Sequence, residues 1–305
     1  MSLTNKHLLG MQNVPAEDIN LILDTARTFR EVLERPVKKV PTLQGITICN
    51  LFYENSTRTR LSFELAEKRL SADTINFSKA GSSAAKGESF KDTVRNIEAM
   101  KVDMIVVRHE SAGVPLFLTK VTSAKVINAG DGIHEHPTQA LLDLYSIREK
   151  KENFEGLRVC IVGDIAHSRV ALSNIFALKT LGAEVSVCGP LSMMPRYIEK
   201  LGVKVYHRID EAIAENDVIN VLRIQLEREA GSSIPSVREY HNYFGVTAER
   251  IEKNNPDILI LHPGPINRGV EISSEVADGP YQIILDQVTN GVAVRMAVLY
   301  LLGGK

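Results

Sequence analysis

Short apolar runs rich in β-branched residues alternate along the chain with longer segments whose apolar residues recur at helical spacing. This alternation is typical of βαβ units, in which helices join parallel strands and cover the sheet. It predicts strands over residues 46–53, 73–77, 104–108, 125–128, 158–163, 184–188, 203–206, 218–222 and 258–262. Helices are predicted over residues 16–33, 59–70, 90–99, 138–150, 170–181 and 291–302. The predicted fold class is α/β, with two doubly wound parallel-sheet domains bridged by helices.

A polar run at residues 150–156 precedes a new strand and marks a domain boundary, since 305 residues suffice for two domains of ordinary size. The final helix is too apolar to lie on a surface, so we expect it to pack back between the domains or onto the first one. The expected domains are residues 1–150 together with the helix at 289–305, and residues 151–288. In doubly wound sheets, ligands bind at the carboxyl ends of the strands.

Composition excludes several classes of partner. The net charge is −1, so no broad field favours nucleic acid or an anionic membrane. Cys49, Cys160 and Cys188 lie in apolar runs without metal-ligand spacing, which predicts buried strand residues in a reducing compartment. The N-terminus lacks a signal-peptide pattern, and no apolar run is long enough to span a bilayer. We therefore expect a cytoplasmic protein with no metal site.

A hydroxyl-rich segment follows the first predicted strand and leads directly into a helix. It contains Ser56, Thr57, Arg58, Thr59 and Arg60. Capping of the helix would use one hydroxyl, whereas three hydroxyls interleaved with two arginines exceed that need. Backbone N–H groups, hydroxyls and guanidinium groups at a helix N-terminus together favour an anion such as phosphate. The segment is not a Walker loop, because the Gly-rich stretch and its Lys-Ser/Thr ending are missing.

Two further strand ends in the first half carry polar residues. Arg108 closes an apolar strand, where an arginine is usually a solvated terminus or an ion-pair partner. His136 and Gln139 stand at the start of a predicted helix and are spaced so that both can point into the crevice. A histidine held there can donate a hydrogen bond to a carbonyl, but a capping or solvent-facing role explains it equally well. His134 and His136 have no acidic or thiol partner to complete a metal site.

Three strand ends in the second half carry similar clusters. Gly163 is the single glycine where a dinucleotide fold has three, which disfavours nicotinamide binding. Arg169, at the start of the next helix, would suit a carboxylate. Residues 222–228 and 261–269 taken alone are an ordinary helix start and a proline turn. The turn can present fixed carbonyls, with a cis bond expected before Pro265.

Taken together, these segments make the chain resemble the carbamoyltransferase family over essentially its whole length. Ser-Thr-Arg-Thr-Arg at 56–60 and His-Pro-Thr-Gln at 136–139 resemble motifs shared by the family. Arg-Ile-Gln at 223–225 and His-Pro-Gly-Pro-Ile-Asn-Arg-Gly at 262–269 resemble its aspartate-specific branch. The Ser-Met-Gly and His-Cys-Leu-Pro segments expected of an ornithine enzyme are absent.

The resemblance implies a role for each matching residue. The phosphate of carbamoyl phosphate would be bound by Ser56, Thr57, Arg58 and Thr59. Its carbonyl would be polarised by Arg108, His136 and Thr59, which together with Arg58 form the implied catalytic set. Its NH₂ group would be bound by Gln139 and the backbone at Gly264 and Pro265. The carboxylates of L-aspartate would be bound by Arg169, Arg223 and Gln225, with Lys86 from a neighbouring subunit.

The resemblance also implies a homotrimer whose active sites are shared, with Ser82 and Lys86 reaching into the neighbour's site. The implied reaction gives N-carbamoyl-L-aspartate and phosphate, an early step of de novo UMP synthesis, and needs no cofactor. Asn55 stands where the family commonly has proline, and Ala85 where some members carry a second lysine. Association with a regulatory chain or with dihydroorotase is left open by the sequence.

Three alternatives are weighed against this interpretation. The chain could be a related transferase for ornithine or another amine, which an assay with each acceptor would identify. It could be an NAD-dependent dehydrogenase, against which the missing glycine pattern argues. It could also be a non-catalytic protein that binds a phosphometabolite and releases no phosphate when aspartate is added.

Overall fold

The computed structural model of the protein describes residues 3–78, 88–225 and 236–304. The chain divides into two compact units, residues 1–145 with 289–305, and residues 146–288. The limits of the units fall inside two helices, at residues 137–151 and 284–303, so each of these helices contributes residues to both units.

The first unit contains a parallel sheet of four strands in the order β2-β1-β3-β4. The strands are β1 (Thr47–Phe52), β2 (Asp73–Ser78), β3 (Met104–His109) and β4 (Lys125–Asp131). Their helices are α1 (Ala16–Glu34), α2 (Thr57–Arg69), α3 (Phe90–Ala99), α4 (Val114–Leu118) and the start of α5 (Pro137–Lys151). β1 and β3 are almost wholly buried, as expected for central strands covered by helices.

The second unit contains a parallel sheet of five strands in the order β7-β6-β5-β8-β9. The strands are β5 (Arg158–Val162), β6 (Glu184–Cys188), β7 (Lys204–Tyr206), β8 (Val218–Val221) and β9 (Leu259–Leu261). The helices are α6 (Arg169–Thr180), α7 (Ile209–Glu215), α8 (Val237–Phe244), α9 (Ala248–Asn254), α10 (Ser274–Ala277) and the start of α11 (Ile284–Gly303).

Both sheets are doubly wound, which confirms the predicted fold class. In each sheet the strand order reverses at one point, between β1 and β3 in the first and between β5 and β8 in the second. The helices that follow the two strands at such a switch point lie on opposite faces, and this opens a crevice at the carboxyl ends. The switch points therefore mark the places where a ligand is expected.

Two predicted helix starts need correction. α2 begins at Thr57 instead of residue 59, and α11 begins at Ile284 instead of residue 291. The first turn of α2 is polar, so a search for apolar spacing detects the helix only where its residues first face the core. The earlier start places Thr57 and Arg58 in the first helical turn, where backbone N–H groups lack helical partners.

The three cysteines are free and buried in β1, β5 and β6, as predicted. Burial raises the pKa of Cys49 and of Cys160 to about 12, and it raises the pKa of Cys188 further, so none is a reactive thiolate near neutral pH. Among the helices in the described part of the chain, none is long and apolar enough to cross a membrane.

Candidate active site

The hydroxyl-rich segment joins β1 to α2 at the switch point of the first sheet. Ser56 is the N-cap residue of α2, with extended backbone (φ −157°, ψ 97°), and its side chain makes no capping hydrogen bond. Capping therefore does not account for this hydroxyl. The first turn of α2 contains no acidic residue, so the positive end of the helix dipole has no carboxylate of its own turn to complement it. This segment suits an external anion.

Positive charge is concentrated near the same segment. Burial lowers the pKa of Arg295, on α11, to about 10; Asp143 opposes this lowering, whereas Arg108 and Arg58 add to it. The charges of Arg58 and Arg108 thus both act on the buried Arg295, so positive charge is concentrated in this part of the first unit. A bound dianion would offset this concentration of positive charge. Because the net charge of the chain is −1, a basic site in it can only be a local one of this kind.

Arg108 lies at the carboxyl end of β3, paired in the sheet with the last residue of β1. Its side chain is buried, with Nη1 donating to the carbonyl of Ala129 at 3.2 Å and Nη2 donating to Oε1 of Glu54 at 2.7 Å. The side chain of Glu54 is 15% exposed. Arg108 is therefore fixed at the switch point by an ion pair that is largely shielded from water, and is not a solvated strand end.

The loop between β4 and α5 is organised by Asp131. Its carboxylate accepts hydrogen bonds from the backbone N–H groups of Gly113 (2.7 Å) and Glu135 (3.2 Å), and from Asn128 Nδ2 (2.7 Å). His136 ends this loop and is only 4% exposed, so the solvent-facing alternative is wrong.

The neighbouring His134 is instead 47% exposed and pairs with Asp131. Within the described ranges, no group of three or more His, Cys, Asp or Glu side chains could hold a metal ion.

The carboxyl end of β5 leads into α6 through a tight turn. Gly163 has φ +131°, and a Cβ there would lie 3.0 Å from Cβ of Leu222, so the close approach of β5 and the β8 end requires glycine. Ser168 caps α6 by accepting from the backbone N–H of Ala171 at 3.2 Å. Arg169 follows as the first helical residue and is buried.

The loop after β9 is held by a buried pair, His262 and Glu271. His262 Nδ1 accepts from the backbone N–H of Gly264 at 2.7 Å, so its proton is on Nε2, which donates to Oε1 of Glu271 at 3.1 Å. The same Oε1 accepts from the backbone N–H of Asn267 at 2.6 Å. The Gly264–Pro265 bond is cis, as expected.

Asn267 connects this loop with the segment after β8. Its Nδ2 donates to the carbonyl of Ile224 at 2.8 Å. Ile224 is fully buried, whereas Arg223 and Gln225 on either side are partly exposed. The buried isoleucine thereby anchors a segment whose two polar neighbours are presented towards solvent, in the second unit.

Residues 6–149 match the carbamoyl-P binding domain of the aspartate/ornithine carbamoyltransferases, and residues 155–302 match the Asp/Orn binding domain. The chain belongs to the aspartate/ornithine carbamoyltransferase family. The resemblance seen in the sequence is therefore confirmed.

Curated relatives in the carbamoyltransferase family extend over nearly the whole chain. The aspartate carbamoyltransferase catalytic subunit of Cytophaga hutchinsonii is 63% identical over 302 residues, covering 99% of this chain and 98% of that protein. The corresponding subunit of Gemmatimonas aurantiaca is 61% identical over 299 residues, covering 98% and 94%. Aspartate transcarbamoylase from Trypanosoma cruzi, in complex with carbamoyl phosphate and aspartate, has a TM-score of 0.87 at 27% identity, covering 98% and 97%.

The residues predicted for a carbamoyltransferase site fall into two groups. In the first unit they lie at or after the carboxyl ends of β1, β3 and β4, and they comprise Ser56, Thr57, Arg58, Thr59, Arg108, His136 and Gln139. In the second unit they follow β5, β8 and β9, and they comprise Arg169, Arg223, Gln225, Gly264 and Pro265. Ser82 and Lys86 lie outside the described residues.

Sequence reasoning missed the supporting residues Asp143, Glu271 and Arg295, and it gave no role to His262 within the motif at 262–269. An arginine inside the apolar run at 291–302 was a usable signal, because a charge in such a helix requires a buried partner. For Asp143 and Glu271, no local pattern distinguishes them from ordinary helix or loop residues.

Proposed function

We propose that the protein transfers the carbamoyl group of carbamoyl phosphate to the amino group of L-aspartate, giving N-carbamoyl-L-aspartate and phosphate, an early step of de novo UMP synthesis. The observation that carries the proposal is the anion site at the β1/β3 switch point, where Arg58 and Arg108 accompany the free N-terminus of α2. Its curated relatives are named for this activity, and the related T. cruzi structure contains both substrates.

The first unit binds the donor in this proposal. The phosphate lies at the start of α2, where it accepts from Ser56, Thr57, Arg58 and Thr59. The carbonyl oxygen accepts from Arg108, His136 and Thr59, and the NH₂ group is bound by Gln139 and by the backbone at Gly264 and Pro265. The domain assignment follows, with residues 1–150 and 289–305 binding carbamoyl phosphate and residues 151–288 binding aspartate.

The second unit binds the acceptor. Arg169, Arg223 and Gln225 hold the two carboxylates of aspartate, with help from Lys86 of a neighbouring subunit. An arginine can form two parallel hydrogen bonds with one carboxylate, which fixes the position of the attacking amine. Arg169 is well placed for this role because the capped start of α6 holds it rigidly.

The chemistry is a nucleophilic substitution at the carbonyl. The aspartate nitrogen forms a bond to the carbonyl carbon, and a tetrahedral oxyanion develops beside Arg108, His136 and Thr59. The bond between carbon and the phosphate oxygen then breaks, phosphate leaves with the electron pair, and one of its oxygens takes the proton of the amine. Because no electrons are transferred to an acceptor, we predict no cofactor. Removing one oxyanion donor costs about 3–4 kcal/mol of barrier.

One assay tests the proposal directly. Purified protein is mixed with carbamoyl phosphate and L-aspartate, and the release of phosphate and formation of carbamoyl aspartate are followed together. L-Ornithine in place of aspartate tests the nearest alternative. Release with ornithine alone, or with neither amine, would refute the assignment of aspartate as acceptor.

We also assign the protein to a homotrimer with shared active sites. On the first unit, Leu61 and Leu65 on α2 and Ile75 on the edge strand β2 are exposed apolar side chains. An exposed apolar surface beside a sheet edge favours contact with another chain. The three free buried cysteines fit a reducing compartment, so the cytoplasm is the expected location.

Subunit mixing tests the shared sites. Arg58→Ala and Lys86→Ala chains are each expected to be inactive, but mixed trimers contain a site with both wild-type residues. Activity that appears on mixing supports sharing, whereas a mixture that stays inactive although light scattering shows mixed trimers would contradict it.

A further inference from the structure

A buried polar network begins one helical turn beyond the proposed substrate contacts of α5. Gln139 Nε2 donates to Oδ1 of Asp143 at 2.9 Å, and both side chains are buried. An ionised carboxylate can only accept hydrogen bonds. The amide of Gln139 must therefore turn its NH₂ group towards Asp143, and its carbonyl oxygen Oε1 is directed away from that carboxylate.

Asp143 interacts electrostatically with Arg295 on α11. Burial lowers the pKa of Arg295 to about 10, and the charge of Asp143 is the factor that opposes this lowering. A lone buried carboxylate would take up a proton and become a donor as well as an acceptor. A neighbouring guanidinium favours the ionised carboxylate, and the hydrogen bond from Gln139 Nε2 has Asp143 as the acceptor, which sets the orientation of the Gln139 amide.

Arg295 is itself held by rigid elements of the first unit. Its Nη1 donates to Oγ of Ser62 on α2 and to the carbonyl of Gly291, each at 3.0 Å, and its guanidinium lies 5.1 Å from the ring centroid of Phe63. A Cβ on Gly291 would lie 2.7 Å from Nη1, so a larger residue at position 291 would displace the guanidinium from this position.

We propose that Asp143 is a positioning residue which, with Arg295, fixes the amide of Gln139 so that Oε1 accepts a hydrogen bond from the NH₂ group of carbamoyl phosphate. The network thereby distinguishes this donor from an acyl phosphate with a methyl group in place of NH₂. This inference rests on the proposed function, and specifically on contact between Gln139 and the donor.

The expected discrimination between carbamoyl phosphate and the methyl analogue arises because Oε1 of Gln139 is left without a donor when the analogue binds. A methyl group cannot donate to Oε1, and leaving a buried acceptor unpaired costs about a tenfold loss of affinity or more. If the amide of Gln139 rotates, its NH₂ group faces the NH₂ group of the substrate and the advantage disappears. Loss of Asp143 should therefore act on the choice of donor, not on phosphate binding in general.

The test compares the affinities of the full-length enzyme for carbamoyl phosphate and acetyl phosphate, with inorganic phosphate as a probe of the anion site. Gln139→Ala should lower the preference for carbamoyl phosphate by about tenfold, and Asp143→Ala should lower it similarly. The double variant should lose no more than either single variant, because both changes remove one interaction. Affinity for inorganic phosphate should change by less than about twofold.

A second variant guards against misfolding of Asp143→Ala, which leaves Arg295 buried without its counter-charge. Asp143→Leu combined with Arg295→Met replaces both charges by apolar side chains of similar size, a change that buried ion pairs often tolerate. The same loss of preference is expected.

An equal weakening of both acyl phosphates in the Asp143 variants, with the preference intact, would overturn the positioning role. If Gln139→Ala also keeps the preference for carbamoyl phosphate, the proposed contact between Gln139 and the donor is refuted as well. Failure of the wild type to carbamoylate aspartate would refute the proposed function itself.

Discussion

Glu67 is a carboxyl group in the core of the first unit, on the helix that begins at the proposed phosphate site. It is completely buried, and Asn50 Nδ2 donates to its Oε2 at 2.9 Å. Burial raises the pKa of Glu67 from 4.5 to about 7, and the hydrogen bond from Asn50 offsets only part of this effect. The stability of the first unit should therefore depend on pH near neutrality.

The direction of this pH dependence follows from proton binding. Between pH 4.5 and about 7 the folded protein keeps a proton on Glu67 that the unfolded chain has released. The free energy of unfolding contributed by this group therefore falls as pH rises through that interval, and is constant above it. At about 1.4 kcal/mol for each pH unit, the difference between the two pKa values corresponds to about 3 kcal/mol.

The perturbation is Glu67→Gln, which keeps the shape of the side chain and removes the titration. Urea unfolding is followed by circular dichroism, since the chain contains no tryptophan, from about pH 5 to about pH 8. As pH rises over this range, the free energy of unfolding of Glu67→Gln should increase by about 3 kcal/mol relative to that of the wild type.

Glu64→Gln is the matched control, one turn earlier on the same helix. The hydrogen bond from Lys68 lowers the pKa of Glu64 from 4.5, so the pH dependence of its contribution to stability lies below pH 4.5. The difference between wild type and Glu64→Gln should therefore stay constant from about pH 5 to about pH 8. A difference between wild type and Glu67→Gln that does not change with pH would refute the reasoning.

Three further predictions concern the proposed site. Arg58→Ala should lower kcat/KM by at least about 10²-fold without lowering the melting temperature appreciably, because the variant lacks the guanidinium that stabilises the leaving phosphate. Arg60→Ala is the control, and equal losses of kcat/KM in both variants would contradict the assignment. Arg223→Ala should raise KM for aspartate far more than KM for carbamoyl phosphate in steady-state kinetics, and equal increases would count against its role. Glu271→Ala should lower the free energy of unfolding by about 1–3 kcal/mol, because it leaves the buried Nε2–H of His262 without its acceptor; an unchanged urea midpoint would show that the pair does not hold the loop.

The doubly wound architecture could be predicted because its signal is local. β-branched runs and helical spacing repeat along the chain, and parallel sheets bury both faces of their strands. The positions of Arg108 and Arg169 at strand and helix ends followed from the same pattern. The start of α2 could not be predicted from this pattern, because Thr57 and Arg58 face away from the core and contribute nothing to apolar spacing.

The support of the site could not be predicted, because it depends on contacts between residues far apart in the sequence. Asp143 and Arg295 meet only after α11 returns to the first unit. The proton position on His262 depends on a backbone N–H two residues later and on Glu271 nine residues later. Such arrangements depend on loop geometry, and the residue types alone do not reveal them.

The proposed function assigns donor binding to the first unit and the choice of acceptor to the second. The first unit matches a domain described by carbamoyl phosphate alone, whereas the second matches one described by aspartate or ornithine. Both sheets place their polar residues at a switch point, so the fold supplies two crevices and the side chains decide what each can bind. On the proposed assignment, a change of acceptor therefore requires changes around Arg223 and Gln225, while the residues from Ser56 to Thr59 can stay the same.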